Sequence, residues 1–530
     1  MPASDAIARP AGLAGAATLA SRLLGLARDQ VLAAFFGASH DMDAFVVAFR
    51  IPNLVRDLFA EGAMSAAFVP TFTQHLTRKG RNDAWRVGNH TLNAVALFTG
   101  ILVVVGVIFA RPLVTAVAGG FAEVPGKLEL TVRLTRIVLP FLTLVAIASV
   151  LMGMLNSLQH YFVPALAPAA FNLATIVCAF ALAPVMPRFG MSPIVAIAVG
   201  ALIGGLGQVA LQWRPLATEG FRYRPVLDLN DPGLRRVLLL MGPGTIGLAA
   251  TQVNLFVNTI FATSAEPGAV SWLQYAFRLM YLPIGLFGVS IATAVLPVAA
   301  RHAALDDPQA VSRTVARGVG LMTLLNIPAT VGLFLLADDI VRLLFERGRF
   351  LPVDTAATAG ALRGYAVGLV GYSATRIASP VFYALGQSRL PVILSTISIG
   401  VNVLLSLLLV QPLGFRGLAL ATSLAASVNG GLSLVLLRRR LGGLQGRHLA
   451  ATFTKMAIAS LMMAAAVEWT ADRVPMLIPG SGVASQATRL AAAVFVGLLT
   501  LGITCRLLRV AEMDDVLAEA RGRLRKFIRH

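Results

Sequence analysis

The sequence predicts an all-α polytopic membrane protein with about fourteen transmembrane helices. Of its 530 residues, 57% are hydrophobic and only 13% are charged, and the mean hydropathy is +0.77. Residues 162–187, 190–212 and 237–265 contain no Asp, Glu, Lys or Arg. Each segment can cross a hydrocarbon core, which takes about 20 helical residues. Backbone amides in lipid need internal partners, so these segments must be helical.

Hydrophobic segments follow one another along the whole chain and are joined by short loops, which predicts a compact helical bundle. The predicted spans are residues 11–36, 43–74, 88–110, 132–157, 162–186, 191–212, 235–263, 270–299, 314–337, 357–385, 390–411, 416–437, 450–470 and 487–508.

An internal repeat relates the two halves of the chain. Phe49-Arg50 and Phe277-Arg278 begin similar stretches, 228 residues apart. About six predicted helices separate the copies, and an even number preserves direction, which predicts two parallel six-helix lobes. The predicted domains are an N-terminal lobe (1–225), a C-terminal lobe (226–445), two additional transmembrane helices (446–510) and a basic amphipathic tail (511–530).

Basic loops predict the orientation. The net charge is +19, and Lys and Arg collect in segments 75–87, 213–236, 301–317 and 438–448 and in the tail. Basic residues favour cytoplasmic loops, so we expect both termini in the cytoplasm and the tail on the anionic inner leaflet. This explanation of the charge predicts membrane lipids, and no nucleic acid, as partners.

Arginines inside predicted helices are the main functional signal. A charged side chain at the bilayer centre costs at least ~2.5–3.5 kcal/mol, which favours a wet cavity or an anionic partner. Guanidinium groups bind phosphate oxygens in bidentate fashion, so a phosphate or diphosphate ligand is predicted. The alternatives are snorkelling from a helix end, or pairing with Asp29, Asp43 or Asp57. The six candidate arginines are Arg22, Arg28, Arg50, Arg56, Arg278 and Arg376.

Two predicted helices contain helix-breaking residues at matching places in the repeat. Pro52 and Gly62 interrupt the second helix, and Pro283, Gly285 and Gly288 interrupt the eighth. Interrupted helices in corresponding positions of two halves are typical of a transport site. A proline kink that only eases packing is the alternative.

Motifs for enzymatic chemistry are weak. Residues 242–247 match G-x-G-x-x-G but follow a basic loop, with no predicted strand before them, so the match is attributed to chance. The sequence has no G-x-x-x-x-G-K-[ST] and no H-E-x-x-H. Cys178 and Cys505 are expected in the core. The chain is therefore predicted to be a transporter without ATPase activity, cofactor or metal site.

Several N-terminal motifs stand out: Ser-Arg-Leu-Leu-Gly-Leu-Ala-Arg-Asp at 21–29, the segments 43–45 and 50–56, and Phe-Ala-Glu-Gly-Ala at 59–63. These motifs resemble the MurJ (MviN) family. Residues 67–70 and 378–384 add to the resemblance, which covers essentially the whole chain. It implies a flippase for lipid-linked peptidoglycan precursor (lipid II) in the bacterial inner membrane. Members belong to the MOP exporter superfamily, with fourteen helices, two lobes and a central cationic cavity.

The resemblance also implies roles for individual residues. Arg22, Arg28, Arg56 and Arg278 match substrate-binding arginines, and Arg50 and Arg376 fall where members carry a basic residue. Three acids, Asp29, Asp43 and Glu61, are the implied gate or functional acids. The last two helices, roughly 450–508, would form a groove for the polyprenyl tail.

The sequence departs from the family at two places. Phe277 and Tyr281 flank Arg278 where some members have acids. Asn258, Asn402 and Ser406 are neutral where some relatives coordinate sodium with carboxylates, so no sodium site of that kind is expected.

The predicted mechanism is alternating access, with the diphosphate bound by cavity arginines and the polyprenyl tail left in lipid. The driving force would be the membrane potential or an ion gradient whose ion the sequence does not identify. Lipid II is the expected substrate, and other cell-wall synthesis proteins are candidate partners. The alternatives are a flippase for another polyprenyl-diphosphate-linked oligosaccharide, a multidrug antiporter of the same superfamily, a membrane enzyme such as a lipid phosphotransferase, or a non-transporting scaffold.

Overall fold

The structure is a computed structural model that describes residues 3–57, 64–478, 480 and 482–514. The described residues form α-helices with short 3₁₀ and π segments, and no strand occurs among them. Ten of the helical segments are long and apolar enough to cross a membrane. The all-α membrane class is therefore confirmed, and fourteen spans stays a prediction.

The helices follow the hydrophobic segments closely. The α-helices are α1 (Ala3–Phe36), α2 (His40–Arg56), α3 (Met64–Lys79), α4 (Arg81–Ile108), α5 (Ala110–Ala118), α6 (Lys127–Val138), α7 (Phe141–Ser157), α8 (Phe162–Ala181), α9 (Val195–Thr218), α10 (Pro232–Thr263), α11 (Ala269–Pro283), α12 (Val289–Ala304), α13 (Pro308–Leu335), α14 (Ala337–Phe345), α15 (Pro352–Ala366), α16 (Leu369–Ala384), α17 (Arg389–Leu413), α18 (Phe415–Arg440), α19 (Gly446–Leu477) and α20 (Val483–Leu507).

The chain divides into two compact units. Unit 1 contains Met1–Ser271 and Arg347–Leu351, and unit 2 contains Trp272–Glu346 and Pro352–His530. The domain boundaries given above from the sequence stay predictions.

The repeat extends to helices too short to cross a membrane. α5 and α14 have nine residues each and begin at Ala110 and Ala337, 227 residues apart. Each follows a helix of 28 residues, α4 in one case and α13 in the other. Both short helices lie between predicted spans, where hydropathy gives no signal for them.

The predicted helix interruptions can be compared with the structure at Pro283 and at Pro52. α11 ends at Pro283, a π-helical segment covers Ile284–Gly288, and α12 begins at Val289, which confirms the predicted break. The predicted break at Pro52 is wrong, because α2 continues through Pro52 to Arg56. A proline removes one backbone hydrogen bond, and a helix in lipid tolerates that loss when neighbours supply packing. Gly62 lies outside the described residues.

Each unit has its own apolar core. In unit 1, Phe68, Phe72 and Met154 are fully buried where α3, α4 and α7 meet. In unit 2, Val311 and Phe382 are fully buried in a core shared by α12, α13 and α16. Cys178 and Cys505 are free and buried, as predicted.

A short segment after α14 returns to unit 1, and we call residues 347–351 the return strap. The backbone N–H of Arg349 donates to the carbonyl of Ala34 at 2.8 Å, near the end of α1. Gly37 and Gly348 have φ of +59° and +58°. A Cβ on Gly37 would lie 2.4 Å from the Arg349 carbonyl oxygen, and one on Gly348 would lie 2.3 Å from that of Ala34. Both positions therefore require glycine.

Candidate functional site

Two candidate arginines lie on α1. Arg22 is exposed and forms no ion pair or side-chain hydrogen bond within the part of the chain that the structure describes. Arg28 donates through Nη2 to Asp29 Oδ1 at 2.8 Å, and its Cζ lies 5.2 Å from the centroid of the Phe171 ring on α8. Asn172 of the same helix donates to the carbonyl of Ser21 at 3.1 Å. α8 therefore fixes the segment of α1 that carries both arginines.

Two more lie on α2. Arg50 donates to the hydroxyl of Thr259 on α10. Arg56 donates through Nη2 to Asp57 Oδ1 at 2.7 Å. The other carboxylate oxygen of Asp57 accepts from Gln252 Nε2 at 3.2 Å, so α10 contacts this part of α2 as well.

Pairing with a neighbouring carboxylate is thus confirmed for Arg28 and Arg56, where the sequence left it open. Both ion pairs join residues adjacent in the sequence, Arg28 with Asp29 and Arg56 with Asp57. A guanidinium has five N–H donors, and one carboxylate oxygen occupies two of them in each pair. Each of these arginines is therefore held by the acid that follows it in the sequence.

In unit 2 the candidate arginines are Arg278 on α11, which is half-buried, and Arg376 on α16, which is exposed. Arg376 Nη2 donates to the Tyr281 hydroxyl at 2.5 Å, and its Cζ lies 5.8 Å from that ring centroid. The Tyr281 ring contacts Phe277, whose ring packs edge-on against Tyr365. The aromatic residues that depart from the family pattern therefore hold Arg376. Sequence reasoning noted Tyr281 only as a departure and missed this contact.

Asp43 is buried, with 1% of its surface exposed, and its carboxylate accepts four hydrogen bonds. The donors are Lys127 Nζ at 2.8 Å, Gly268 N at 2.8 Å, and Ser271 N and Oγ at 3.0 and 2.7 Å. Lys127 Nζ also lies 4.0 Å from the centroid of the Phe121 ring. The carboxylate therefore fixes the backbone that begins α11.

Lys127 is a residue that sequence reasoning missed. A signal was available, because the chain has only four lysines against forty arginines, and Lys127 stands beside a predicted span. A compact ammonium suits a buried pair with one carboxylate oxygen better than an arginine fork does.

The remaining candidate acids, and the neutral residues at the positions where some relatives bind sodium, lie apart from Asp43 in the sequence. Asp29 is buried against Arg28, and Glu61 lies outside the described residues. Asn402 and Ser406 are buried on α17, one turn apart. No group of three or more His, Cys, Asp or Glu in the described ranges is placed to hold a metal ion.

Two further features of the sequence, the glycine motif at 242–247 and the basic tail, can be compared with the structure. The residues 242–247 that match G-x-G-x-x-G lie inside α10, which is itself preceded by a segment without regular structure. They do not form a nucleotide-binding loop, because that loop follows a strand. The tail is described only to Asp514, so the predicted amphipathic helix from 511 to 530 lies almost wholly outside the described residues.

A family model described as "Lipid II flippase MurJ" matches residues 32–486. A "Probable lipid II flippase MurJ" from Rhizobium meliloti (strain 1021) is 36% identical over 493 residues, covering 90% of this chain and 88% of the relative. A protein of the same description from Vibrio cholerae serotype O1 is 32% identical over 519 residues, covering 94% and 97%.

Solved structures give the same result for the fold. A structure titled "Lipid II flippase MurJ, inward closed conformation" is 25% identical, with a TM-score of 0.75 over 94% of this chain and 99% of the other. An inward-facing MATE transporter of the MOP superfamily is 17% identical, with a TM-score of 0.68 over 80% and 96%. The second likeness shows the fold alone. With a family model that matches most of its length and relatives aligned nearly end to end, this chain belongs to the lipid II flippase MurJ family.

Proposed function

We propose that this protein flips lipid II from the inner to the outer leaflet of the bacterial inner membrane. Membership of the MurJ family is the observation that carries the proposal. The arginines of α1 and α2 support it, because Arg22, Arg28, Arg50 and Arg56 all lie within these two helices. Guanidinium groups suit an anionic diphosphate and disfavour a cationic drug.

In the proposed mechanism, the arginines bind the diphosphate and the protein alternates between inward-open and outward-open states. Arg22 is available without breaking any contact described here, and Arg28 is held in place by Asp29 and Phe171. The remaining arginines, Arg50, Arg56, Arg278 and Arg376, are assigned to the same task from the sequence. The polyprenyl tail stays in lipid, because exposing it to a polar cavity would cost about 25 cal/mol for each Å² of apolar surface.

The membrane potential is the proposed driving force. An inside-negative potential favours export of an anion by ~2.3 kcal/mol per charge per 100 mV. Collapsing the potential in vesicles should therefore slow flipping. An unchanged rate would remove the potential from the proposal and leave an ion gradient to be identified.

A flipping assay in reconstituted vesicles tests the proposal. Lipid II is compared with other polyprenyl-diphosphate sugars, for the parent chain and for Arg22→Ala, Arg28→Ala and Arg188→Ala. The exposed Arg188, between α8 and α9, is the matched control. Loss of a hydrogen bond to a charged group costs about 1.5–3 kcal/mol, so flipping by R22A and R28A should fall about 10- to 100-fold.

The same assay separates the proposal from its alternatives. Faster movement of another polyprenyl-diphosphate oligosaccharide would reassign the substrate, and normal flipping by R28A would count against arginine binding of the diphosphate. A multidrug antiporter would move organic cations and leave lipid II in place. Insertion and yield of each variant are checked first, so that a folding defect is not read as a transport defect.

A further inference from the structure

One surface of unit 1 carries arginines that the proposed transport mechanism does not use. It is formed by residues 221–229, which connect α9 to α10 and which we call the clamped segment. Residues 221–228 have no regular secondary structure. They lie against α4, which presents a row of polar side chains to them.

Two asparagines of α4 hold the backbone of the clamped segment at alternate residues. Asn89 donates to the carbonyl of Arg222 at 3.1 Å and accepts from the N–H of Arg224 at 2.9 Å. Asn93 donates to the carbonyls of Arg224 and Val226 at 2.7 and 2.9 Å. Alternate residues of an extended chain share one edge. The segment is therefore extended and fixed along that edge.

The fixed backbone directs basic and apolar side chains outward together. Tyr223, Val226 and Leu229 are 46%, 51% and 61% exposed. The side chains of Arg222 and Arg224 are also exposed, and neither forms an ion pair or a side-chain hydrogen bond in the described ranges. The Tyr223 hydroxyl donates to Asn93 Oδ1 at 2.8 Å, so its ring is oriented as well.

The surrounding charge is positive. Arg235 and Arg236 in the first turn of α10 are exposed, and Arg78 and Lys79 at the end of α3 are exposed too. Arg236 donates to Gln74 at 2.8 Å, which ties α10 to α3.

The nearby acids offset only part of this charge: Asp228 of the clamped segment is exposed, whereas Glu219 and Asp231 are engaged by other groups. Glu219 pairs with Arg81 and contacts His160, and Asp231 caps α10 by accepting from Gly233 and Leu234.

Exposed leucines near the start of α10 place apolar surface close to the clamped segment. The helix begins at Pro232, and Leu238, Leu239 and Leu240 are 47%, 76% and 48% exposed. Six helical residues rise about 9 Å, somewhat more than the ~5–7.5 Å of one headgroup layer, so the start of α10 lies at the outer part of that layer when Leu238 lies below it. The clamped segment therefore stands at headgroup depth when these leucines meet acyl chains.

We propose that the clamped segment binds the phosphate groups of anionic phospholipids. Arg222 and Arg224 form bidentate contacts to lipid phosphates, and Tyr223, Val226 and Leu229 lie among the headgroups and upper acyl chains. Each basic residue near an anionic leaflet strengthens binding to that leaflet about five-fold. The asparagine contacts order the segment before lipid arrives, which lowers the entropy cost of binding.

Trp213 gives a local reporter, because its ring centroid lies 6.1 Å from that of Tyr223. The full chain is reconstituted in nanodiscs that contain either brominated phosphatidylglycerol or brominated phosphatidylcholine, at equal bromine content. Bromine quenches tryptophan fluorescence at short range. The quenching that disappears in a Trp213→Phe variant isolates this one tryptophan.

We expect phosphatidylglycerol to quench Trp213 several-fold more than phosphatidylcholine does. R222Q/R224Q should abolish the difference, and the control R133Q/R188Q, which removes two exposed arginines elsewhere in unit 1, should keep it. Equal quenching by both lipids in the parent chain, or a preference that survives R222Q/R224Q, would overturn the proposal and leave the surface to an acidic protein.

Asn93→Leu tests the clamp, because it removes two of the backbone contacts and keeps both arginines. It should reduce the lipid preference, and a full preference in that variant would refute a role for the clamp. The nanodiscs contain no lipid II, so the result is independent of the proposed flippase activity.

Discussion

Asp43 accepts hydrogen bonds from the backbone N–H and the hydroxyl of Ser271, the residue 228 positions later in the chain. That separation equals the offset of the sequence repeat, so the two residues occupy equivalent positions at the starts of α2 and α11. The two copies of the repeat therefore differ in side chain at this position, with an acid in the first copy and a hydroxyl donor in the second. Lys127 supplies the charge that balances the acid.

Asp43→Asn should destabilise unit 1 strongly. The substitution keeps the side-chain volume but leaves the ammonium of Lys127, whose side chain is 3% exposed, without its counter-charge. Breaking one partner of a buried pair costs about 3–5 kcal/mol. Thermal unfolding in detergent measures the loss.

Lys127→Met and the double variant D43N/K127M complete a double-mutant cycle with D43N. Removing both charges should cost much less than the sum of the single losses, because no unpaired charge remains. Strictly additive losses would show that the two side chains do not depend on one another.

Gly37→Ala should disrupt the return strap. Its φ of +59° disfavours any side chain, and the new Cβ would also collide with the Arg349 carbonyl. Gly190→Ala is the matched control, because its φ is +64° and no heavy atom lies within 4 Å of a Cβ there. The control G190A should lose about 1–3 kcal/mol of folding stability from backbone strain alone, and G37A should lose more. Equal thermal stabilities would show that the collision is relieved without cost.

Glu219 predicts a pH dependence of stability outside the membrane spans. A hydrogen bond from His160 lowers the pKa of Glu219 below 4.5, and the nearby charge of Arg81 adds to the effect. The folded state thus binds its proton less readily than the unfolded state does. The stabilisation is complete above pH 4.5 and is lost as the pH falls through the lowered pKa.

Comparing the parent with Glu219→Gln tests this sign. The parent should be more stable by less than about 1 kcal/mol at neutral pH, as for other surface pairs, and the two should converge as the pH falls through the lowered pKa of Glu219. A difference that grows on acidification contradicts the prediction.

Tyr281→Phe should distinguish the contribution of the Tyr281 hydroxyl from that of its ring. It removes the acceptor for Arg376 and keeps the aromatic contacts with Phe277. If Tyr281 positions Arg376 for the substrate, flipping should fall about 10-fold, in keeping with the ~1.5–3 kcal/mol of a charge-assisted hydrogen bond. Y281F in an Arg376→Ala background should then cause no further loss, whereas a second equal loss would assign Tyr281 a separate role.

Much of the fold follows from the sequence because lipid imposes strong rules. Long apolar segments must be helices, and α8, α9 and α17 lie where hydropathy places them. α5 and α14 escape prediction because nine residues are too short to produce a membrane signal. The break at Pro283 follows from its neighbouring glycines, whereas Pro52 has no such neighbours and α2 continues through it.

The sequence predicts which residue types form the candidate site, but it does not predict their hydrogen-bond and ion-pair partners. Arg28 and Arg56 stand beside acids in the sequence, and there the local pairing occurs. The partners of Arg50 and Asp43 lie 209 and 84 residues away along the chain, at Thr259 and Lys127. Only tertiary packing brings such residues together, so one sequence without its fold leaves them unmatched.

The return strap makes unit 1 discontinuous, since five of its residues are encoded after α14. A fragment that contains only the first half of the chain would lack residues 347–351, which pack against the end of α1. Chimaeras made by exchanging halves between homologues would inherit the return strap, with Gly348, from one parent and the end of α1 that it contacts, with Gly37, from the other. Engineers who recombine such proteins should therefore move residues 347–351 together with the first half, or match Gly37 and Gly348 in both donors.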